Sequence, residues 1–327
     1  MKTLIENFSK QLRDAIEIGA KSAIRNPKSE IRNAIVTGLG GSGLGGTIVS
    51  EIVAGECSVP VVVNKDYFLP AFVNENSLVI VSSYSGNTEE TVQAMEAALK
   101  AKAKIICVTS GGKISEMAKQ NNCDIITIPG GSPPRAALAY SLTQLFFILK
   151  KLQLVKSDFE KQLKDAADLV DAEENNIRKE AMEISDFLFN KMPVIYAADG
   201  FNGVATRFRQ QLNENSKLLC WHHILPEMNH NELVGWAGGN DDIAVVILRN
   251  KTDYSRTQAR IEFSKKVFAQ HTPHIKEIWS KGKIKLEQSI YLIHLTDWVS
   301  LFLAEKKGVD AVEVNIINEL KGELGKI

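Results

Sequence analysis

Short runs of aliphatic and β-branched residues recur from residue 33 onward, uniformly apolar rather than alternating, and stretches of helical spacing separate them. The runs fall at 34–37, 61–64, 78–82, 105–109 and 125–128, with helical segments at 44–53, 89–101 and 114–120 between them. A strand apolar on both sides must be covered on both sides, and parallel sheets achieve this with crossover helices. The order therefore predicts a doubly wound α/β domain, whose ligand sits beyond the carboxyl ends of the strands.

Prolines and glycines at 129–134 interrupt the series, and a very apolar helix is predicted over 135–149. Residues 150–190 are charge-rich with helical spacing and suit a connector. A second series follows, with strands at 194–198, 243–248 and 274–279, a turn at 200–203, and helices at 204–217, 286–305 and 312–321. The segments IVTGLGGSGLGG and VIYAADGFNGVA, about 160 residues apart, both open as strand, glycine turn and helix, a repeat of architecture rather than of side chains. The 327 residues are enough for about two domains. The expected fold is α/β, with two doubly wound, flavodoxin-like parallel-sheet domains and flanking helices, divided as 1–155 and 156–327.

Charge balance limits what such a chain binds. Lys plus Arg and Asp plus Glu number 39 each, and no basic run stands out, so neither nucleic acid nor an anionic membrane is an expected partner. Affinity for an anion must come from a local site. The cysteines Cys57, Cys107, Cys123 and Cys220 form no CxxC pair and read as buried reduced thiols of a cytoplasmic protein. Leu4, Phe8, Leu12 and Ile16 recur every four residues among charges, which predicts an amphipathic helix rather than a signal peptide. No run approaches the roughly 18 apolar residues of a membrane span.

Two glycine- and hydroxyl-rich loops carry the anion chemistry. GLGGSGLGG, at 38–46, lets backbone approach an anion at a helix N-terminus, where unpaired N–H groups point outward. It formally satisfies G-x-G-x-x-G, so a dinucleotide site and a purely structural turn are its alternatives. The second strand, however, ends in Asn64 and Lys65 where a ribose-binding acid is expected. SSYSGNTEET, at 82–91, places Ser83, Ser85 and Thr88 on a turn entering a helix, more hydroxyls than an N-cap needs and suited to a phosphate monoester. Among candidate bases, Glu214, Glu227 and Glu232 are equally open from residue chemistry alone. His222, His223, Glu227 and His230 hint at a metal cluster but lack HExxH spacing and ligating cysteines, so no metal and no cofactor is expected.

Together these loops resemble the SIS (sugar isomerase) domains of the phosphoglucose isomerase superfamily. Gly41 and Ser42 match that family's sugar-contacting loop, and SYSGNTEET its phosphate loop. LNENSK, at 212–217, resembles the segment bearing the catalytic glutamate, here Glu214. PEMNHNELVGW, at 226–236, resembles the segment bearing the ring-opening histidine of bifunctional phosphoglucose/phosphomannose isomerases, here His230. PGGSPPRAALAYS, at 129–141, resembles their loop with an active-site arginine, here Arg135, and INELK the last-helix segment whose lysine is Lys321. The resemblance spans nearly the whole chain.

What it implies is isomerisation of glucose 6-phosphate and fructose 6-phosphate, with mannose 6-phosphate as a further substrate. Ser83, Ser85 and Thr88 would anchor the phosphate of the hexose while Gly41 and Ser42 hold the sugar. His230 and Lys321 would open the ring. A partly desolvated Glu214 would carry the proton between C2 and C1 through a cis-enediol, its charge offset by Arg135. The family also implies a homodimer in which His230 completes the neighbouring subunit's site. Relatives active on mannose 6-phosphate carry a threonine shortly before the final lysine, where this chain reads Glu313-Val314-Asn315-Ile316. A non-catalytic sugar-phosphate sensor is the alternative reading.

Overall fold

The computed structural model describes residues 1–26 and 30–326. Helices α1 (Lys2–Glu6) and α2 (Phe8–Lys21) come first; the expected single amphipathic helix breaks at Asn7, and Phe8, Leu12 and Ile16 are buried. Then follow β1 (Asn33–Thr37), α3 (Gly40–Val53), β2 (Val61–Asn64), β3 (Ser77–Ser83), α4 (Glu89–Lys100), β4 (Lys104–Thr109), α5 (Gly112–Gln120), β5 (Asp124–Thr127), α6 (Leu138–Lys151) and the 30-residue α7 (Phe159–Leu188). The second half contains β6 (Met192–Ala198), α8 (Asn202–Glu214), β7 (Trp221–Leu225), α9 (Glu232–Gly235), β8 (Ile243–Arg249), α10 (Ser255–Phe268), β9 (Ile275–Trp279), α11 (Lys285–Lys307) and α12 (Asn315–Leu324).

Both sheets are parallel throughout. The first runs β2-β1-β3-β4-β5 and the second β7-β6-β8-β9, so the second repeats the first without its last strand. Successive strand side chains point to opposite faces. On the first sheet Ile35, Val79, Val81 and Cys107 pack outward under α4 and α5, whereas Ala34, Val36, Ile80 and Val108 face inward. On the second, Val194, Tyr196 and Val245 pack under α10, whereas Ile195, Ala197 and Val246 face inward. The two inward faces share one continuous core with α2, α3, α6, α7, α8 and α11, so a single helical layer lies between the sheets. Burying α6 and α11 in that layer explains their nearly uniform apolarity.

Several boundaries differ from expectation for physical reasons. The glycines of 40–46 are helical rather than loop, because α3 begins at Gly40. The apolar helix predicted from residue 135 starts instead with a 3₁₀ turn, Pro134–Ala137, and becomes α-helical at Leu138. Helix α8 stops at Glu214, three residues before Lys217 with φ +51°. Of the cysteines only Cys107 is fully buried; the other three are half-buried, and all four are free thiols. No helix among the described residues is long and apolar enough to cross a membrane.

Candidate active site

The loop following β3 turns back on itself at Gly86, whose φ is +69° and where a Cβ would lie 1.8 Å from the carbonyl oxygen of Gly111, so no other residue fits. This turn gathers the hydroxyls. Ser83 Oγ donates to Thr88 Oγ1 at 3.2 Å and accepts the Gly86 amide at 3.2 Å, while Ser85 Oγ accepts the Asn87 amide at 3.2 Å. Thr88 is the N-cap of α4 yet makes no capping bond with its side chain, leaving its hydroxyl to the loop. Ser83 is buried and Ser85 exposed at the mouth.

Tyr84 ties this turn to its neighbours, a role the sequence did not reveal. Its amide donates to Ser42 Oγ at 3.2 Å, its carbonyl accepts the Ser110 hydroxyl at 2.7 Å, and its phenol accepts the Ser132 amide at 3.0 Å. Ser42 is thereby fixed to the hydroxyl loop. A Cβ on Gly41 would sit 3.2 Å from the Pro134 carbonyl oxygen and 3.8 Å from Arg135 Cα, so the turn before Arg135 closes against the first turn of α3.

Arg135 crosses from the first half to the second. Its side chain is 6% exposed, and it donates through Nε to Asn215 Oδ1 at 2.7 Å and through Nη2 to the carbonyls of Ala311 at 2.7 Å and Val312 at 3.1 Å. Nη1 meets Glu214 Oε2 at 3.3 Å. Guanidinium carries five N–H donors, so these four bonds leave one hydrogen on Nη1 uncommitted beside the Glu214 carboxylate. Burial lowers the pKa of Arg135 from its ordinary value, with Glu214 opposing that shift, and an arginine in this setting stays charged.

Glu214 itself is 32% exposed, the partly desolvated setting expected of it. It ends α8, and the chain beyond it is clamped. Asn215 Nδ2 donates to Ser300 Oγ at 2.9 Å, Ser216 Oγ to the Ser300 carbonyl at 2.6 Å, and Lys217 Nζ to the carbonyls of Glu214, Asp310 and Glu313. Two turns earlier Arg207 forms a buried bidentate pair with Asp297 of α11, at 2.7 and 3.0 Å. Asn215 and Lys217 brace the end of α8, a part that sequence reasoning did not assign them; their only signal was adjacency to Glu214.

Family-model matches identify residues 29–152 as a SIS domain and residues 177–324 as a bacterial phospho-glucose isomerase C-terminal SIS domain. A bifunctional phosphoglucose/phosphomannose isomerase of Caldicellulosiruptor bescii is 37% identical, covering 99% of this chain and 98% of its own. The chain belongs to the phosphoglucose/phosphomannose isomerase family. Another relative of that description, from Aquifex aeolicus, is 35% identical over 90% of this chain and 91% of its own. A D-glucosamine-6-phosphate 4-epimerase of Sulfolobus acidocaldarius is 29% identical over 87% and 86%. The fold is also that of a putative phosphosugar isomerase from Clostridium difficile, with TM-score 0.78, 17% identity and coverage of 95% of this chain and 94% of that one.

Within this family member not every candidate meets. Gly41, Ser42, Ser83, Ser85, Thr88, Arg135 and Glu214 lie along connected loops, whereas His230 and Lys321 share no hydrogen bond or ion pair with them among the described residues. Both are exposed, and among the described residues neither side chain makes a hydrogen bond or ion pair. The site's arginine does hold the entry to Lys321's helix through the Ala311 and Val312 carbonyls. Of the alternative glutamates, Glu227 accepts from Asn231 Nδ2 at 2.9 Å, and Glu232 accepts from Tyr196 and Trp221 and faces His223 Nδ1. No group of three or more His, Cys, Asp or Glu side chains among the described residues converges as metal ligands would.

Proposed function

We propose that this chain interconverts glucose 6-phosphate and fructose 6-phosphate through a cis-enediol. The observation that carries the reading is the Arg135–Glu214 pair, drawn from opposite halves of the chain and set against the turn that holds Gly41 and Ser42. In this reading the 1–155 half anchors the phosphate on Ser83, Ser85 and Thr88 and holds the sugar on Gly41 and Ser42. The 156–327 half supplies the proton carriers. Glu214 takes the C2 proton and returns it to C1, and the free Nη1 hydrogen of Arg135 faces the enediol oxygen as charge develops there. His230, reaching across from a second copy, and Lys321 open the ring. Two exposed, unbonded side chains in one copy are compatible with that division. The exposed apolar residues of α12, Ile316 at 77% and Leu320 at 59%, suit cover by a partner in a cytoplasmic homodimer.

Turnover of fructose 6-phosphate, read in a coupled assay, is expected without added metal and undiminished by chelator. Activity lost in chelator and restored by zinc rejects the metal-free scheme. Mannose 6-phosphate is expected to turn over more slowly, because Glu313-Val314-Asn315-Ile316 supplies no threonine. Equal rates on the two aldoses would reject that distinction.

A further inference from the structure

The segment carrying His230 has almost no regular structure of its own, since 3₁₀ turns at Glu227–His230 and Trp236–Gly238 flank the single turn of α9. An exposed imidazole that must meet a substrate held by another subunit needs a fixed backbone beneath it. That fixation converges on one carboxylate. Glu232 Oε1 accepts the Tyr196 hydroxyl and, at 3.1 Å, the Trp221 indole N–H, and its Oε2 faces His223 Nδ1 at 2.8 Å. Tyr196 OH in turn accepts the Trp236 indole N–H at 2.9 Å. The donors thus come from β6, from β7 and from the far end of the segment itself. We infer that Glu232 is a positioning residue for His230, pinning the 232–236 half of the segment to the second sheet. This rests on the reading of His230 given above.

Three features separate this role from its rivals. Glu232 is a committed carboxylate rather than a free one, because Tyr196 and Trp221 donate to Oε1 and His223 Nδ1 faces Oε2. Burial and the adjacent carboxylate both raise the Tyr196 pKa, which keeps the phenol protonated and donating. The remaining anchors of the segment, Met228 fully buried and Asn229 Nδ2 donating to Ser264 Oγ at 2.9 Å, hold its first half only. Without the Glu232 carboxylate, the stretch from His230 onward keeps the buried Trp236 ring, its indole bond to Tyr196 and the packing of Leu233, but loses its direct hydrogen bonds to β6 and β7.

The test is a double-mutant cycle on kcat and KM for fructose 6-phosphate, using Glu232→Gln, His230→Ala and the combination, with thermal unfolding followed for each. The expected result is a kcat for Glu232→Gln lowered by about tenfold or more with KM changed less than about threefold, and a double variant no slower than His230→Ala alone. Tyr196→Phe, which removes one donor and keeps the ring, is expected to lower kcat less, and it replaces Glu232→Gln in the cycle should that variant not fold. Losses that multiply in the double variant mean that Glu232 acts independently of His230 and overturn the inference. Wild-type kcat in Glu232→Gln with an inactive His230→Ala overturns it while leaving the role of His230 intact. A fully active His230→Ala removes that role, and the inference with it.

Discussion

The two strand–glycine–helix turns of this chain have the same architecture and opposite contents. At the start of α8, the Glu51 carboxyl group accepts the Gly203 amide at 3.0 and 3.3 Å, so an internal side chain fills the helix N-terminus. At the start of α3, no carboxylate among the described residues is bonded to the first turn, and Gly41 and Ser42 face the neighbouring loops instead. Glu51 belongs to the last turn of α3 itself, so one helix presents an open end to the first sheet's loops and closes its counterpart with the other. Duplicate turns thus differ in use, the first left open to the neighbouring loops and the second closed as a joint between halves.

The largest effect that could break this comparison belongs to the proton carriers of the second half. Glu214→Gln should lower kcat by about 10² to 10⁴ with little change in KM. If Glu214→Gln keeps near wild-type kcat while Glu227→Gln does not, the second half works through another carboxylate. Mixing Glu214→Gln with His230→Ala under subunit exchange should restore activity at roughly a quarter of all sites if His230 crosses over. A dead mixture with verified exchange confines His230 to its own subunit.

Next comes the anchor. Ser85→Ala combined with Thr88→Ala should raise KM by about 10- to 100-fold, the loss of two hydrogen bonds of about 1 kcal/mol each, with kcat changed far less. A fall in kcat at constant KM would place the phosphate elsewhere.

The smallest effect on turnover is expected from Glu51→Gln, with kcat within about twofold of wild type, yet it sharpens the contrast through stability. Burial, opposed by the Gly203 amide, raises the Glu51 pKa from 4.5 to about 7, with Asp199 raising it further and Lys285 lowering it. A carboxyl that binds its proton more tightly folded than unfolded stabilises the fold most below pH 4.5, and that contribution is lost as pH rises to about 7. Glu51→Gln should abolish this slope and be more stable at pH 8 by up to about 3 kcal/mol, read from denaturant melts across pH. An unchanged slope would mean that Glu51 carries little of the joint.

Where burial is complete, the sequence announces the structure. Strands β1, β3, β4 and β8 are covered on both faces and read as unbroken apolar runs. Strand β7 escaped notice because it is an edge strand, WHHIL, whose histidines are half-buried against Thr206, Asn202 and Glu232. Helix α10 was hidden by its charges, since only Ile261, Ser264 and Phe268 are buried. The glycines that open α3 gave no helical signal because Gly has the weakest helix propensity after Pro. Of the site, the hydroxyl loop was legible since its residues are contiguous. The pairing of Arg135 with Glu214 was not, for 79 residues separate them and only the shared helical layer brings them together.

That shared layer also sets an order for biosynthesis. Helix α7 packs principally on α11, which begins about a hundred residues later in the chain. At roughly 5–20 residues per second, a nascent chain carries the apolar face of α7 without that cover for about 5–20 s. The first sheet can form on the ribosome with its covering helices, but α7 and α8 stay without their partner until α11 emerges. The protein therefore leaves synthesis with its last long helix acting as the lid of its core, and a ribosome stalled before residue 285 would hold a sticky intermediate rather than half an enzyme.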